Sequence, residues 1–281
     1  MSAGKIFYDG KMIRVRKGTV ESLAPGIVPG KGVFETMRFS GGEIAFLENH
    51  LDRLMRGLRL MGFSSPYSRQ RWRENLYGAL KANRLKEARI RMMVWKERRE
   101  RHAAIVCQKC RRADALSGRQ GIRAVLSGVR RPKTRYAHIK SLDYLCFRRA
   151  YMEAKKNGYD EAILLNSRGE VTEGSRTNVF FVKGKNIFTP AVRCGCLNGI
   201  TRQIVIRAAR RMGVPCRAVS MDWKRMLRAD EAFVTNSVMG VMPLMAINGR
   251  RVGTGKAGPL TGKLRKSYFD ALRSAGSGRA F

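Results

Sequence analysis

The chain has 281 residues, enough for two domains that each bury a core, and 44% of them are apolar and 28% charged. The absence of low-complexity tracts and fixed-period repeats excludes a disordered chain and a solenoid. It carries 57 Lys and Arg against 21 Asp and Glu, a net +36, yet these charges are scattered over stretches such as Arg69–Arg73, Lys96–Arg101 and Arg207–Arg211 without a recognition motif, so no specific nucleic-acid partner is expected.

The opening residues lack the apolar run of a signal peptide, and no stretch approaches the roughly 18 apolar residues of a membrane span. A cytoplasmic protein without a membrane partner is expected. Lys5–Tyr8 and Met12–Val15 read as strands around an Asp9-Gly10 turn, which predicts a hairpin. Gly32–Phe39 reads as a further strand closed by Ser40-Gly41-Gly42-Glu43, with Ile44–Phe46 pairing back. From Glu48 to Met61 the residues Leu51, Leu54, Met55, Leu58 and Met61 recur at helical spacing, and Trp72, Leu76 and Leu80 mark a second helix.

Ile90–Trp95 and Ala103–Cys107 return as strands. Cys107 and Cys110 make a single C-x-x-C, but the run Ala104–Val106 reads as buried strand and no second pair follows, so no metal site is expected; the six cysteines are too sparse for a disulfide scaffold. This α+β unit ends near Leu116, and Ser117–Gly121 is the linker. Beyond it come a strand at Ile122–Leu126, a basic loop containing Pro132, a helix from about Leu142 to Asn157 and strands at Glu161–Asn166 and Asn178–Val182. A helix from about Ile200 to Met212 and a strand near Phe233 follow. The fold class is thus α/β (α+β) with two domains, a smaller N-terminal α+β domain over residues 1–118 and a larger mixed-sheet α/β domain over residues 119–281.

Chemistry concentrates in a few segments. His138-Ile139-Lys140-Ser141-Leu142 places a lysine between apolar neighbours just before a helix, where desolvation would lower its pKa and free the amine for Schiff-base formation. Among 57 basic residues, however, a lysine at a helix start is more often a surface residue. Asn198-Gly199-Ile200-Thr201 opens a helix, a place suited to an anion or to an ordinary cap. Thr235-Asn236-Ser237 reads equally as anion donors or as a turn.

Four separated segments shift this balance: Phe34–Arg38 with Asn49–Leu54, the Lys140 segment, Gly169–Phe180, and Leu197–Arg202. Together they resemble the fold-type IV pyridoxal phosphate enzymes, the class IV aminotransferase family, over nearly the whole chain. The resemblance implies pyridoxal 5'-phosphate as cofactor, held at the domain boundary, with Lys140 as the Schiff-base residue and Arg53 on the phosphate. It further implies Glu173 as the carboxylate that keeps the pyridine nitrogen protonated, so that the ring can accept electrons. Asn178, Ile200, Thr201, Asn236 and Ser237 complete the cofactor contacts, and a homodimer acting on a small anionic, amino-bearing substrate is expected. Asp143 and Arg176-Thr177 depart from the family pattern and leave the substrate pocket open.

Within the family, Asn198–Gln203 and the segment from Ala229 to Leu244 look more like 4-amino-4-deoxychorismate lyases than transaminases. The Tyr and Lys-Trp-Gly pattern that branched-chain aminotransferases place before their lysine is not found. The expected reaction is therefore release of pyruvate from 4-amino-4-deoxychorismate to leave 4-aminobenzoate, a folate precursor. The alternative is amino transfer from branched-chain or D-amino acids to 2-oxoglutarate. A noncatalytic basic binding protein would need none of the lysine, the glutamate or the phosphate contacts.

Overall fold

A computed structural model describes residues 4–15, 23, 31–110, 121–132, 134 and 136–275. Most of the expected linker, Ser117–Gln120, and the expected unit end at Leu116 lie outside the described residues. The chain divides into two compact units. The first comprises residues within 1–112 together with Ile139–Leu145, and the second those within 113–138 and 146–274.

The first unit is built on strands β1 (Lys5–Tyr8), β2 (Lys11–Arg14), β3 (Lys31–Ser40), β4 (Glu43–Ile44), β5 (Ala88–Glu97) and β6 (Glu100–Lys109), in the spatial order β2-β1-β6-β5-β3-β4. β1 and β2 are joined by the two-residue turn foreseen at Asp9-Gly10. Both residues have positive φ, 43° and 88°, as a turn matching the strands' right-handed twist requires. Helix α1 (Leu47–Leu60) buries Leu51, Leu54 and Leu58 of the stripe that the apolar spacing marks, with His50 beside them, while Met55 and Met61 are half-buried. Helix α2 (Arg69–Ala82) starts at Ser68, whose side chain accepts a hydrogen bond from the Arg71 N–H, and it buries Trp72, Leu76, Ala79 and Leu80.

The segment Ile139–Leu145 groups with this unit and not with its neighbours in sequence. The Phe34 N–H donates to the Lys140 carbonyl and the Leu142 N–H to the Gly32 carbonyl, both at 2.9 Å, and Leu142 is buried with Ile6, Phe34, Met93 and Trp95. Because these residues are tied to β3 as extended chain, the helix expected from Leu142 begins only at Leu145.

The second unit holds a nine-stranded mixed sheet: β7 (Ile122–Leu126), β8 (Glu161–Leu165), β9 (Val171–Gly174), β10 (Asn178–Lys183), β11 (Asn186–Pro190), β12 (Cys216–Val219), β13 (Glu231–Asn236), β14 (Gly240–Ile247) and β15 (Arg250–Arg251). Its order is β12-β11-β10-β13-β14-β7-β8-β9, with β15 on β14, and the pairs β11/β12, β14/β7 and β7/β8 are parallel. Val179 and Phe181, Ala232 and Val234, and Met242 and Leu244 alternate into one buried face. On the other face Phe180 stacks on Phe233, its partner in register, at 4.8 Å between ring centroids.

Helices α3 (Leu145–Lys156), α4 (Ile200–Arg211), α5 (Trp223–Leu227) and α6 (Pro259–Ala275) complete the chain. Buried Glu231 caps the start of α6 by accepting from the Leu260 and Thr261 N–H groups at 3.0 and 2.7 Å, placing negative charge at the positive end of the helix. The fold is thus mixed α+β with two sheets. Among the described residues no helix is long and apolar enough to cross a membrane. Burial pushes the Cys107 thiol up to about 12, in keeping with its place in strand β6.

Candidate active site

In the first unit the chemistry gathers where α1 crosses β3. Glu35, in the middle of β3 and 1% exposed, receives the Arg53 Nε–H on Oε1 at 2.7 Å and an Arg53 Nη2–H on Oε2 at 2.6 Å. His50, one helical turn before Arg53, sets Nδ1 2.7 Å from the same Oε2. Burial alone would raise the Glu35 carboxyl, but the Arg53 guanidinium, helped by His50, overrides it and holds the group down at about 2. His50 moves down as well, first because burial penalises its charged form and further because Arg53 and Lys140 repel a second cation, although Glu35 pulls the other way. Arg53 and Lys140 therefore share one neighbourhood around His50. The Lys140 Nζ lies 4.5 Å from the centroid of the Phe34 ring and 6.0 Å from that of Tyr144, and these two rings meet edge to face.

In the second unit Glu173 and Asn178 converge on one residue: the Leu197 N–H donates to Glu173 at 3.0 Å, and the Asn178 Nδ2 donates to the Leu197 carbonyl at 2.8 Å. Both side chains are buried. Arg131 sets Nε 3.4 Å from Glu173 Oε1, donates to the Gly195 and Ala137 carbonyls, and lies 4.5 Å above the Phe147 ring. Two residues beyond Leu197, Gly199 caps the start of α4 without any side-chain hydrogen bond. The first-turn N–H groups that capping side chains normally satisfy are left to another acceptor.

Thr201 Oγ1, buried in that first turn, has no protein partner among the described residues; nor has Thr235 Oγ1, which β13 places in register with Asn178. Two orphaned hydroxyls near an uncapped helix start suit an acceptor-rich anion.

Asn236 is committed to a turn: its Oδ1 accepts from the Val238 and Met239 N–H groups, and its Nδ2 donates to the Arg176 carbonyl. Ser237 beside it is half-buried. Arg176 and Thr177, two of the residues that depart from the family pattern, have structural work, whereas Asp143 is exposed. Thr177 donates its hydroxyl to Glu161 at 3.0 Å, and the Arg176 guanidinium lies 3.5 Å from the centroid of the Tyr151 ring.

Three residues of this region escape the sequence reading. Glu161, 1% exposed, accepts from the Ala162, Ser175 and Arg176 N–H groups and from the Ser175 and Thr177 hydroxyls, and so shapes the loop between Glu173 and Asn178. Its signal was an acid opening a wholly apolar strand. Arg202 is buried while donating to Asn198 and to the Pro190 carbonyl; it closes the segment Leu197–Arg202, but the segment gave it no role of its own. Arg131 had no signal among so many basic neighbours.

The amino-transferase class IV family model matches residues 32–247. The branched-chain-amino-acid aminotransferase of Pseudomonas aeruginosa is 33% identical over 292 residues, covering 96% of this chain and 93% of that protein. Among solved structures, the branched-chain aminotransferase of the thermophilic archaeon Thermoproteus uzoniensis with norvaline superposes with a TM-score of 0.85 at 29% identity, covering 98% of this chain and 97% of that one. The T.th. branched-chain amino acid aminotransferase complexed with N-(5'-phosphopyridoxyl)-L-glutamate also gives 0.85, at 26% identity over 98% and 95%.

These relatives overturn the lyase expectation, and with it the assignment to folate-precursor synthesis. The segments that suggested it form the start of α4 and the β13–β14 strand pair. A helix start and a pair of strands are needed for the fold whatever becomes of the substrate, so they are poor witnesses to the reaction. The missing Tyr and Lys-Trp-Gly pattern does not set the chain apart from branched-chain aminotransferases either.

Proposed function

Because the chain belongs to the class IV aminotransferase family and is a pyridoxal-phosphate-dependent enzyme, we propose that it transfers the amino group of branched-chain amino acids to 2-oxoglutarate. The observation that carries this reading is similarity to branched-chain aminotransferases along essentially the whole chain, in sequence and in fold alike.

The donor set fits the cofactor. The residues that would hold the phosphate are Arg53 and, in the second unit, the N–H groups of Ile200 and Thr201 and the Thr201 hydroxyl, with Asn178 supporting the Leu197 loop and Asn236 folding the turn at Ser237. Bound there, pyridoxal phosphate supplies an electron sink for negative charge developing on the α-carbon of the substrate. Glu173, fixed by the Leu197 N–H, keeps the pyridine nitrogen protonated. Lys140 would hold the cofactor, and its Nζ would take the proton from the substrate α-carbon and keep it for return. A homodimer in the cytoplasm, with an amino acid as its small anionic substrate, completes the proposal.

The test is to incubate purified protein and pyridoxal phosphate with 2-oxoglutarate and, separately, L-leucine, L-isoleucine, L-valine or D-alanine, and to measure glutamate. Glutamate from the three branched L-amino acids is expected, and loss of both turnover and the cofactor's protein-bound visible absorbance in Lys140→Ala. Turnover of D-alanine alone, or none with any donor, overturns the assignment.

A further inference from the structure

The carboxylate of Glu35 has no part in the chemistry above, yet it sits 1% exposed in the middle of the sheet, where β3 pairs it with Met92 of β5. An ionised carboxylate in such a place persists only when its oxygens are matched. Here they are matched by two residues one turn apart on α1. Arg53 meets the carboxylate side-on, with Nε on Oε1 and Nη2 on Oε2, which commits one of its two pronged edges. The other edge, formed by Nη1 and the second Nη2 hydrogen, has no protein partner among the described residues, and 15% of the side chain is exposed.

His50 completes the arrangement. Its ring is fully buried, and Nε2 has no partner among the described residues. A protonated ring would strand an N–H there, so the geometry favours the neutral ring that donates Nδ1–H to Glu35 Oε2 and leaves only a lone pair unmatched. Glu35 Oε2 thus accepts from His50 and Arg53 together, and the carboxylate has no freedom to turn.

We propose that Glu35 and His50 are positioning residues for cofactor binding, holding the Arg53 guanidinium in the single orientation that presents its Nη1/Nη2 edge to the phosphate. The inference rests on the phosphate role proposed for Arg53. Glu35 already balances the charge of Arg53, so what the clamp adds is orientation more than attraction. A phosphate also prefers two parallel N–H donors, and a guanidinium free to rotate would have to be ordered at each binding event. The helix sets the spacing of His50 and Arg53, and the strand sets the height of Glu35, so the clamp is built on a ten-residue strand and a 14-residue helix.

The experiment is a double-mutant cycle on full-length protein stripped of cofactor, titrated with pyridoxal phosphate and followed by the absorbance of the bound form. Arg53→Gln should weaken binding on the order of tenfold to a hundredfold, the scale of lost charge-assisted hydrogen bonds. Glu35→Gln should weaken it on the order of tenfold while Arg53 is present, and by less than about twofold in the Arg53→Gln background. His50→Leu should follow the same pattern with a smaller loss.

Equal losses from Glu35→Gln in both backgrounds would mark a merely structural carboxylate and overturn the inference, as would an unchanged affinity in Glu35→Gln when Arg53→Gln binds weakly. An Arg53→Gln protein that binds normally overturns the role of Arg53 itself, a result separable from the other two. Should Glu35→Gln not fold, Glu35→Asp, which keeps the charge but shortens the reach, runs in the same cycle under the same criteria.

Discussion

Replacing Gly199 with alanine probes how closely the loop before α4 is fitted. A Cβ at this position would stand 2.1 Å from Asn178 Oδ1 and 3.5 Å from Arg202 Cβ. The first distance is far inside van der Waals contact, so the Asn178 amide must swing away and give up its 2.8 Å bond to the Leu197 carbonyl. That bond is worth about 1 kcal/mol, and forcing a methyl group into a packed site costs about 1–3 kcal/mol, so the substitution should destabilise the protein by about 2–4 kcal/mol. Cofactor affinity should fall with it, because Leu197 is the residue on which Glu173 and Asn178 both close.

Urea unfolding followed by circular dichroism measures the first effect, and titration of cofactor-free protein measures the second. Asn178→Ala removes the obstacle, so the double variant should cost about 1–3 kcal/mol less than the sum of the singles. A Gly199→Ala protein within about 0.5 kcal/mol of wild type, or strict additivity in the double variant, would show that the loop yields freely and refute the close-fit argument.

Glu173→Gln should lower turnover by about a hundredfold, the scale of losing one preorganised electrostatic partner, while cofactor retention changes little; undiminished turnover removes Glu173 from its role. The Glu35 carboxyl also makes stability depend on pH. Its folded value of about 2 lies below the ordinary 4.5, so its contribution is fully present above about pH 4.5 and is lost as pH falls through 2. The difference corresponds to about 3 kcal/mol at neutral pH. The stability gap between wild type and Glu35→Gln, measured by urea unfolding, should therefore narrow from pH 7 to pH 3. A gap independent of pH would mean that Glu35 does not gain its charge stabilisation on folding.

Much of the local structure is legible in the sequence, because period and turn chemistry act over a few residues. The stripe Leu51, Leu54 and Leu58 specifies the inner face of α1, and Asp9-Gly10 specifies the β1–β2 turn. The strand at Ile122–Leu126 and the helix near Ile200 follow from the same kind of signal. The family motifs are also contiguous in sequence, so Arg53, Lys140 and Glu173 stand out from the order of residues alone.

Other features have no local signature. The run Val238–Ile247 shows only that it is apolar; that β14 lies inside the sheet follows from β13 and β7 flanking it. Leu142 reads as a helix start until its hydrogen bond to Gly32 in β3 holds it out of the helix, which begins at Leu145. Nor does the sequence distinguish Glu35 and Glu231, which the fold buries and surrounds with donors, from acids on the surface.

Sequence by itself determined many of the elements, the family and the few residues that carry the motifs. Only the tertiary structure decided which acids are buried, which arginine is clamped and which hydroxyls are left unmatched. Those properties depend on partners far along the chain, through burial and pairing that no window of neighbouring residues contains.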